Sequence, residues 1–341
     1  MEYHFYVGSY NSADEDSIYY CSLDSVSGEM KALSSFKGLA NPSYLAWSLD
    51  HKYLFAVEEL NPTGNLVLLR MNGEQPEFVT RVSTDGADPC HISVDKSGSY
   101  ICAANYSSGS LAAFHFDEAK EDLHRLGRIQ EEGSGPNKER QECAHIHFSG
   151  WIGDDLYVCD LGSDLVRCFH REGDALTEDP SLSMHVNPGY GPRHFAASAD
   201  GKNIYLITEM GSRICVFEAL GSPVRKWSQV QESTTQSPDY RGEGAAAAIR
   251  MNAEESYLFT SDRSSNSIAS YRVGVGGQLS RSGDTPTGGI MPRDFAIFGD
   301  IIVVANQESS TLTAVRISQN GKLQLLDTKL EIPHPSCVLA D

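Results

Sequence analysis

The sequence predicts an all-β protein, a seven-bladed β-propeller with four antiparallel strands in each blade. Three observations predict this fold: a strand pair recurs seven times along 341 residues, β-branched and aromatic residues are frequent in it, and helical periodicity is nearly absent. Repeats of a few tens of residues that each contain several short strands are typical of propellers. We therefore expect a single domain, one closed ring over residues 1–341.

The first strand of each unit is a short apolar segment, often beginning at a proline. Its copies are NPSYLAWS (41–48), DPCHISVD (88–95), CAHIHFSG (143–150), GPRHFAAS (191–198), AAAIRMNA (246–253), MPRDFAIF (291–298) and HPSCVLAD (334–341).

The second strand of each unit is apolar and ends on a polar residue. Its copies are YVGS (6–9), FAVE (55–58), CAAN (102–105), YVCD (157–160), LITE (206–209), FTSD (259–262) and VVAN (303–306). A third strand follows a short polar turn, as in DSIYYCSL (16–23), and looser stretches such as EFVTRVST (77–84) predict an outer fourth strand.

The two ends of the chain each supply part of a unit. The sequence ends on a first strand, HPSCVLAD, and begins on a second strand, YHFYVGSY. We expect these N- and C-terminal strands to share one composite blade, which closes the ring and protects strand edges from aggregation.

Composition limits the partners. The formal net charge is −19, from 46 acidic and 27 basic residues, and no basic cluster suited to nucleic acid or an anionic membrane occurs. The sequence has no apolar run of membrane-helix length and no signal-peptide pattern at MEYHFYVG. The eight cysteines lack a CxxC spacing, which favours free thiols in a reducing compartment. We expect a cytoplasmic protein whose oligomeric state the sequence leaves open.

Aligning the units selects two positions that are mostly polar. We expect both sets at one mouth of the central channel, because antiparallel neighbours bring one end of each strand pair together. The first-strand set is Ser43, Cys90, His145, Arg193, Ala247, Arg293 and Ser336. The second-strand set is Ser9, Glu58, Asn105, Asp160, Glu209, Asp262 and Asn306.

Several of these residues suit catalysis or anion binding. His145 has a side chain for general acid or base work, and strand alternation places His147 on the same side. Arg193 and Arg293 follow prolines in GPRH and MPRD, and their planar guanidinium groups suit a carboxylate or a phosphate. The predicted substrate-binding residues are Arg293, Asn105, His91, His147, Asp160 and Asn306.

Structural roles compete with these assignments. Asn105, Asp160 and Asn306 precede turns, where such side chains bond the local backbone. The arginines could form ion pairs with Glu209 or Asp294, and Glu209 itself could be a salt-bridge partner or a carboxylate base.

Other chemistries find no support in the sequence. GxSxG, Walker and HExxH motifs do not occur. The HxH at 145–147 lacks an Asp, Glu or Cys partner set with persuasive spacing, so we expect neither a metal nor another cofactor.

The segments GPRHFAASADGKNIYLITE (191–209), DPCHISVDKSGSYICAANYSSGSL (88–111), CAHIHF (143–148) and SYLFTSDRSSNSIASYRV (256–273) resemble the lactonase-type seven-bladed propellers. That family includes propeller 6-phosphogluconolactonases and fungal 3-carboxy-cis,cis-muconate lactonizing enzymes. The resemblance implies that the active-site residues are His145, Arg193, Glu209 and Arg263. The unit at 243–250 departs from the pattern, with Ala247 where other units are polar.

The resemblance implies hydrolysis of a small anionic sugar lactone, 6-phosphogluconolactone to 6-phosphogluconate, as in the pentose phosphate pathway. His145 or Glu209 would activate water, and arginines would hold the phosphate and the oxyanion. Two alternatives stay open: a cycloisomerase that acts on 3-carboxy-cis,cis-muconate, and a propeller that binds partners without catalysis.

Overall fold

Seven antiparallel sheets form the molecule in a computed structural model that describes residues 1–221, 223–224 and 226–341. Each sheet has four strands along its main path, which confirms the predicted seven-bladed propeller. We number the blades 1 to 7 from the N-terminal strand, and the strands of each blade from the channel outwards.

The strand bounds follow blade order, from blade 1 to blade 7. The inner strands are Pro335–Ala340, Leu45–Trp47, Pro89–Val94, Ile146–Ile152, Pro192–Ala197, Ala246–Met251 and Pro292–Phe298. The second strands are Glu2–Ser9, Tyr53–Glu58, Tyr100–Asn105, Asp155–Asp160, Asn203–Thr208, Tyr257–Asp262 and Ile301–Asn306. The third strands are Asp16–Asp24, Asn65–Asn72, Ser110–Asp117, Leu165–Glu172, Arg213–Leu220, Ser267–Val273 and Thr311–Ile317. The outer strands are Met30–Lys37, Gln75–Ser83, Asp122–Gln130, Ala175–Glu178, Lys226–Thr234, Leu279–Pro286 and Leu323–Glu331.

Irregular elements lie at the outside of blades 3 and 4. A short strand, Met184–His185, pairs with the third strand of blade 4. The 3₁₀ helices of the described chain are Glu118–Lys120 and Pro180–Leu182.

Blade 1 joins the two ends of the chain. Its inner strand, Pro335–Ala340, pairs antiparallel with Glu2–Ser9, and Val7 lies opposite Val338. The composite blade predicted from the sequence is therefore confirmed. The seven inner strands also contact one another in a closed cycle around the channel.

The hydrophobic core is divided among the interfaces between neighbouring blades. Each of seven buried clusters takes residues from two adjacent blades. Between blades 2 and 3, for example, Phe55, Leu68 and Phe114 are fully buried. Burying one such side chain contributes about 1.5–3 kcal/mol, so each interface supports the ring by several such increments.

All eight cysteines are free and seven are buried, as the sequence predicted for small core residues. Within the described residues, no helix combines the length and the apolar character needed to cross a membrane.

Candidate active site

A β-bulge interrupts the inner strand of most blades at the channel. In blade 5, Pro192 pairs with Thr208 and His194 with Ile207, which leaves Arg193 as the extra residue. The same register shift singles out Cys90, His147, Arg293 and Ser336 in their own blades. Bulges redirect a side chain, and here they direct one residue per blade towards the channel.

A second set of residues follows the second strands. In six blades this residue donates its backbone N–H, over 2.7–3.0 Å, to the carbonyl of the residue directly before the inner strand. In blade 2, Glu59 donates over 3.1 Å to the carbonyl of Asn41, which lies four residues before Leu45. This shared bond makes the seven positions equivalent. They are Tyr10, Glu59, Tyr106, Leu161, Glu209, Arg263 and Gln307.

The structure corrects the alignment made from the sequence at two places. His147, not His145, is the bulge residue equivalent to Arg193, because Ile146 and Phe148 are the paired residues of that strand. Glu209 lies one residue beyond the position of Asn105 and Asp160, which Thr208 occupies. Strand alternation could not show the first of these corrections, since a bulge adds one residue that interrupts the alternation.

Residues from both sets line a cavity of about 250 Å³ at one mouth of the channel. Its volume suits one small molecule. Of the predicted site residues, Arg193, Glu209, Arg263, Arg293 and His147 line it. The sequence analysis did not select its other lining residues as catalytic or substrate-binding; they are Glu59, Cys90, Tyr106 and Arg140.

Glu209 is bound by three arginines. Its Oε1 atom lies 2.6 Å from Nη2 of Arg140, and its Oε2 atom lies 2.9 Å from Nη2 of Arg263. Nη1 of Arg193 also donates to Oε2. Burial opposes ionisation of Glu209, but Arg263 and Arg193 outweigh it and hold the pKa of this carboxyl well below its usual range.

Arg193 is almost completely enclosed, with 3% of its surface exposed. Its Nε donates to the carbonyl of Ala247 over 3.2 Å. Burial, followed by the charge of Arg263, lowers the pKa of Arg193 to about 10, despite the attraction of Glu209. The guanidinium remains protonated at neutral pH and is fixed on both sides.

Arg293 has a different environment from the other arginines. Its Cζ lies 4.9 Å from the centre of the Tyr10 ring, and its Nη1 lies 3.5 Å from Oε1 of Gln307. Among the described residues, no carboxylate lies within 4.0 Å of its guanidinium nitrogens. Glu59, the second acid of the cavity, is instead held by the hydroxyls of Tyr10 and Ser43.

Three histidines from neighbouring inner strands lie together. The His147 ring is 5.2 Å from that of His194, which is 5.8 Å from that of His91. All three are at most 5% exposed, and each Nδ1 atom lacks a hydrogen-bond partner within the described structure. Burial holds the pKa of each ring well below its usual value, so all three are neutral at neutral pH. Of the three, His147 lines the cavity, whereas His91, a predicted substrate-binding residue, does not line it and packs against Tyr44 and Phe148.

His145 lies behind the cavity wall. Its ring stacks on Tyr106, with centroids 4.6 Å apart and planes 16° from parallel, and Nδ1 lies 3.1 Å from the Tyr106 carbonyl oxygen. Tyr106 therefore separates His145 from the cavity. The prediction that His145 points into the cup is wrong, because the residue precedes the bulge.

Asn105, Asp160 and Asn306 are fully buried and face away from the cavity. Asp160 accepts hydrogen bonds from the backbone N–H groups of His145 and Gly162. Nδ2 of Asn105 donates to Ser110 over 3.1 Å, and Nδ2 of Asn306 donates to Thr313 over 2.9 Å. Their contacts fit the alternative role as turn residues and correct the substrate-binding assignment.

Four lining residues were not predicted as site residues, and the repeat pattern contains a signal for three of them. Glu59 and Tyr106 directly follow the second strands, so the alignment missed them by one residue. Cys90 was in the aligned set, and the structure shows it at the bulge. Arg140 comes from the irregular segment 131–145, where no repeat pattern exists to predict its position.

The cavity is a cationic site in an acidic protein. Four arginines and two glutamates line it, an excess of two positive charges, whereas the whole chain carries −19. Such a local excess attracts a small anion that the rest of the surface repels.

Comparison with known proteins assigns the same seven-bladed fold over nearly the whole chain. A family profile described as "Lactonase, 7-bladed beta-propeller" matches residues 4–340. The chain belongs to this lactonase family. This membership, together with relatives named 6-phosphogluconolactonase, supports a lactone-hydrolysing enzyme over a propeller without catalysis.

Individual relatives agree over nearly their full length. The 6-phosphogluconolactonase of Bacillus subtilis (strain 168) is 30% identical over 344 residues, which is 98% of this chain and 97% of the relative. A 6-phosphogluconolactonase of Formosa agariphila is 31% identical, with 96% of both chains covered. The periplasmic gluconolactonase of Pseudomonas aeruginosa superposes with a TM-score of 0.90 at 26% identity, covering 100% of this lactonase and 99% of that chain.

Proposed function

We propose that this lactonase hydrolyses a phosphorylated sugar lactone, 6-phosphogluconolactone, to 6-phosphogluconate. The observation that carries the proposal is the charge of the cavity, in which Arg293 has no carboxylate partner among the described residues while three other arginines surround Glu209. A partly buried guanidinium without a carboxylate is suited to a ligand that brings its own negative charge. The names of the two curated relatives support the same substrate.

We assign phosphate binding to Arg293. Its guanidinium is oriented by the Tyr10 ring and by Gln307. Burial disfavours its charge, yet Tyr10 and Glu59 outweigh burial and raise the pKa of Arg293, so it is protonated throughout the neutral range. Arginine can donate two parallel hydrogen bonds to phosphate oxygens.

We assign the base role to His147 rather than to His145 or Glu209. Glu209 is a poor proton acceptor because its two oxygens are already bound by three arginines. His147 lines the cavity and is neutral at neutral pH, so it can accept a proton from water. Burial and then the charge of Arg193 lower the pKa of His147, and the carboxylate of Glu209 opposes both.

The reaction then uses the arginines of the cluster. A water molecule attacks the lactone carbonyl carbon while His147 accepts a proton from that water, and the carbonyl oxygen becomes an oxyanion. Arg193 and Arg263, fixed by Glu209 and by backbone carbonyls, are placed to stabilise that oxyanion without reorganising. The ring C–O bond breaks, the ring oxygen takes the proton back from His147, and the hydroxy acid leaves.

The decisive experiment compares three substrates. Base uptake at constant pH, corrected for the protein-free reaction, measures turnover of 6-phosphogluconolactone and of gluconolactone, which has the same ring without phosphate. The conversion of 3-carboxy-cis,cis-muconate is followed by its change in ultraviolet absorbance. We expect kcat/KM for the phosphorylated lactone to exceed that for gluconolactone by about tenfold or more, as one or more charge-assisted hydrogen bonds predict. Equal values for the two lactones, or faster conversion of the muconate, would contradict the proposal.

A further inference from the structure

A cluster of three potential metal ligands lies outside the cavity, at the end of the segment 131–145. Ligand atoms of Glu142, Cys143 and His145 all lie within 4.8 Å of one another. Nε2 of His145 is 3.3 Å from Oε1 of Glu142 and 3.9 Å from Sγ of Cys143. The active-site chemistry described above uses none of these three side chains.

The spacing is close to that of a tetrahedral zinc site. With metal–ligand bonds of about 2.0–2.3 Å, nitrogen, oxygen and sulfur ligands of one zinc ion lie about 3.3–3.6 Å apart. The two separations from Nε2 are 3.3 and 3.9 Å, and all three ligand atoms lie within 4.8 Å of one another, so closing on one ion requires Cys143 and Glu142 to move closer together around Nε2.

His145 has the orientation of a metal-binding histidine. It is 5% exposed, its ring is fixed against Tyr106, and its backbone N–H is bound by Asp160. If the ring nitrogen Nδ1 donates to the Tyr106 carbonyl 3.1 Å away, then the lone pair of Nε2 points at Glu142 and Cys143. A second ring nitrogen bonded to a backbone carbonyl is the usual support of a histidine ligand.

Cys143 differs from the other cysteines of the protein. The other seven are buried, whereas Cys143 is exposed and can be reached by an ion from solvent. Glu142 is also exposed, so both side chains are free to adjust around an ion.

We propose that Glu142, Cys143 and His145 bind one divalent ion of intermediate softness, such as Zn²⁺, with a fourth position open to water. A nitrogen, sulfur and oxygen donor set suits Zn²⁺ or its analogue Co²⁺ better than Mg²⁺ or Ca²⁺, which prefer oxygen alone. The sequence analysis expected no metal because no Asp, Glu or Cys partner set for the HxH at 145–147 had persuasive spacing, whereas the structure places Glu142 and Cys143 beside His145.

The proposed metal site lies next to residues that line the cavity. His145 stacks on Tyr106, which lines the cavity, and Arg140 of the same segment contacts both the Tyr106 hydroxyl and Glu209. A bound ion would therefore fix the segment that carries Arg140 against the cavity wall. Metal binding itself does not depend on which lactone the enzyme hydrolyses.

The test uses the full chain, reduced, treated with a chelator and dialysed. Titration with Co²⁺ is expected to give saturable binding of one ion per chain with a thiolate-to-cobalt charge-transfer band, and Zn²⁺ should displace it. Cys143→Ser should abolish the band and weaken Zn²⁺ binding, measured calorimetrically, by about tenfold or more, since loss even of a supporting residue costs that much. Glu142→Gln, at an exposed position, should weaken binding with the fold intact by circular dichroism.

His170→Gln is the matched control. His170 also lies beside two carboxylates, but its Nδ1 and Nε2 atoms face Asp155 and Asp179 separately, so no common ligand position exists there. Its variant should bind Co²⁺ with the wild-type band. The proposal is overturned if the wild-type chain shows no charge-transfer band, or if Cys143→Ser retains it.

Discussion

Nη2 of Arg140 lies 2.6 Å from Oε1 of Glu209, although the two residues belong to different parts of the ring. Glu209 is 3% exposed and follows the second strand of blade 5, whereas Arg140 comes from the segment between blades 3 and 4. About half of the Arg140 side chain is exposed, and Arg193 is buried on the other side of the same carboxylate. Glu209 thus links an external segment to the buried part of the cavity wall.

Glu209→Gln should destabilise the protein. The change keeps the shape of the side chain but removes the charge that compensates Arg193 and Arg263, and breaking a buried ion pair from one side costs about 3–5 kcal/mol. Urea unfolding should show a fall of that order in the free energy of unfolding. Inorganic phosphate should restore more stability to this variant than to the wild type, because it can occupy the unpaired arginines.

Glu308→Gln, an exposed position without an ion pair within the described chain, is the control for Glu209→Gln and should unfold like the wild type. Equal stability of all three proteins would show that Glu209 does not compensate the arginines.

Arg293→Gln should impair binding of the phosphorylated lactone. Loss of a charged hydrogen-bond donor costs about 1.5–3 kcal/mol, which corresponds to about a tenfold to hundredfold rise in KM. Gluconolactone, which lacks the phosphate, should be hydrolysed at nearly the wild-type rate. Arg316→Gln, which removes a surface partner of Asp300, is the control and should leave KM and the rate unchanged for both lactones. A matching loss for both lactones would place Arg293 away from the phosphate.

His147→Gln should lower kcat by about 10²–10⁴, the usual contribution of a positioned base. Because the pKa of His147 lies below its usual value, the wild-type rate should be constant through neutral pH and fall only in acid, where the ring becomes protonated. The acid fall should be absent from the residual activity of the variant. His145→Gln is the matched comparison and should keep kcat, since Tyr106 stands between that ring and the cavity. A larger loss of kcat for His145→Gln would reverse the assignment.

The ring itself was predictable because its signals are local. Apolar strands, prolines at strand starts and polar turns recur in each unit, and each follows from the short-range requirements of a strand pair. Arg193 and Arg293 were predicted from the proline that precedes each, and the structure places both at a bulge. The fold and the arginine pair were thus accessible without coordinates.

The remainder of the site depends on non-local contacts. Because of a bulge, His147 and not His145 faces the cavity, and only the pairing with the next strand reveals this bulge. Arg140 reaches Glu209 across 69 positions of sequence from a segment without regular structure. Similarly, the convergence of Glu142 and Cys143 on His145 depends on how one irregular turn folds back, and spacing alone does not specify that geometry.

The buried histidines should make stability depend on pH. His91 and His194 have folded-state pKa values well below the usual 6.5, chiefly because of burial. The unfolded chain therefore binds protons near pH 6.5 that the folded chain does not, so their contribution is complete above that pH and is lost as the pH falls. Below that pH, each such histidine should lower the free energy of unfolding by about 1.4 kcal/mol per pH unit until its folded-state pKa is reached.

Replacing His194 by Phe should reduce this slope. The ring packs beside Phe148, with centroids 5.0 Å apart, so an aromatic side chain without a titrating nitrogen fits the same surroundings. Urea unfolding between pH 5 and pH 8 should show a shallower loss of stability in acid for His194→Phe than for the wild type. His185→Gln, at an exposed position, should retain the wild-type slope. Parallel curves for His194→Phe and the wild type would mean that His194 becomes protonated as readily in the folded ring as in the unfolded chain.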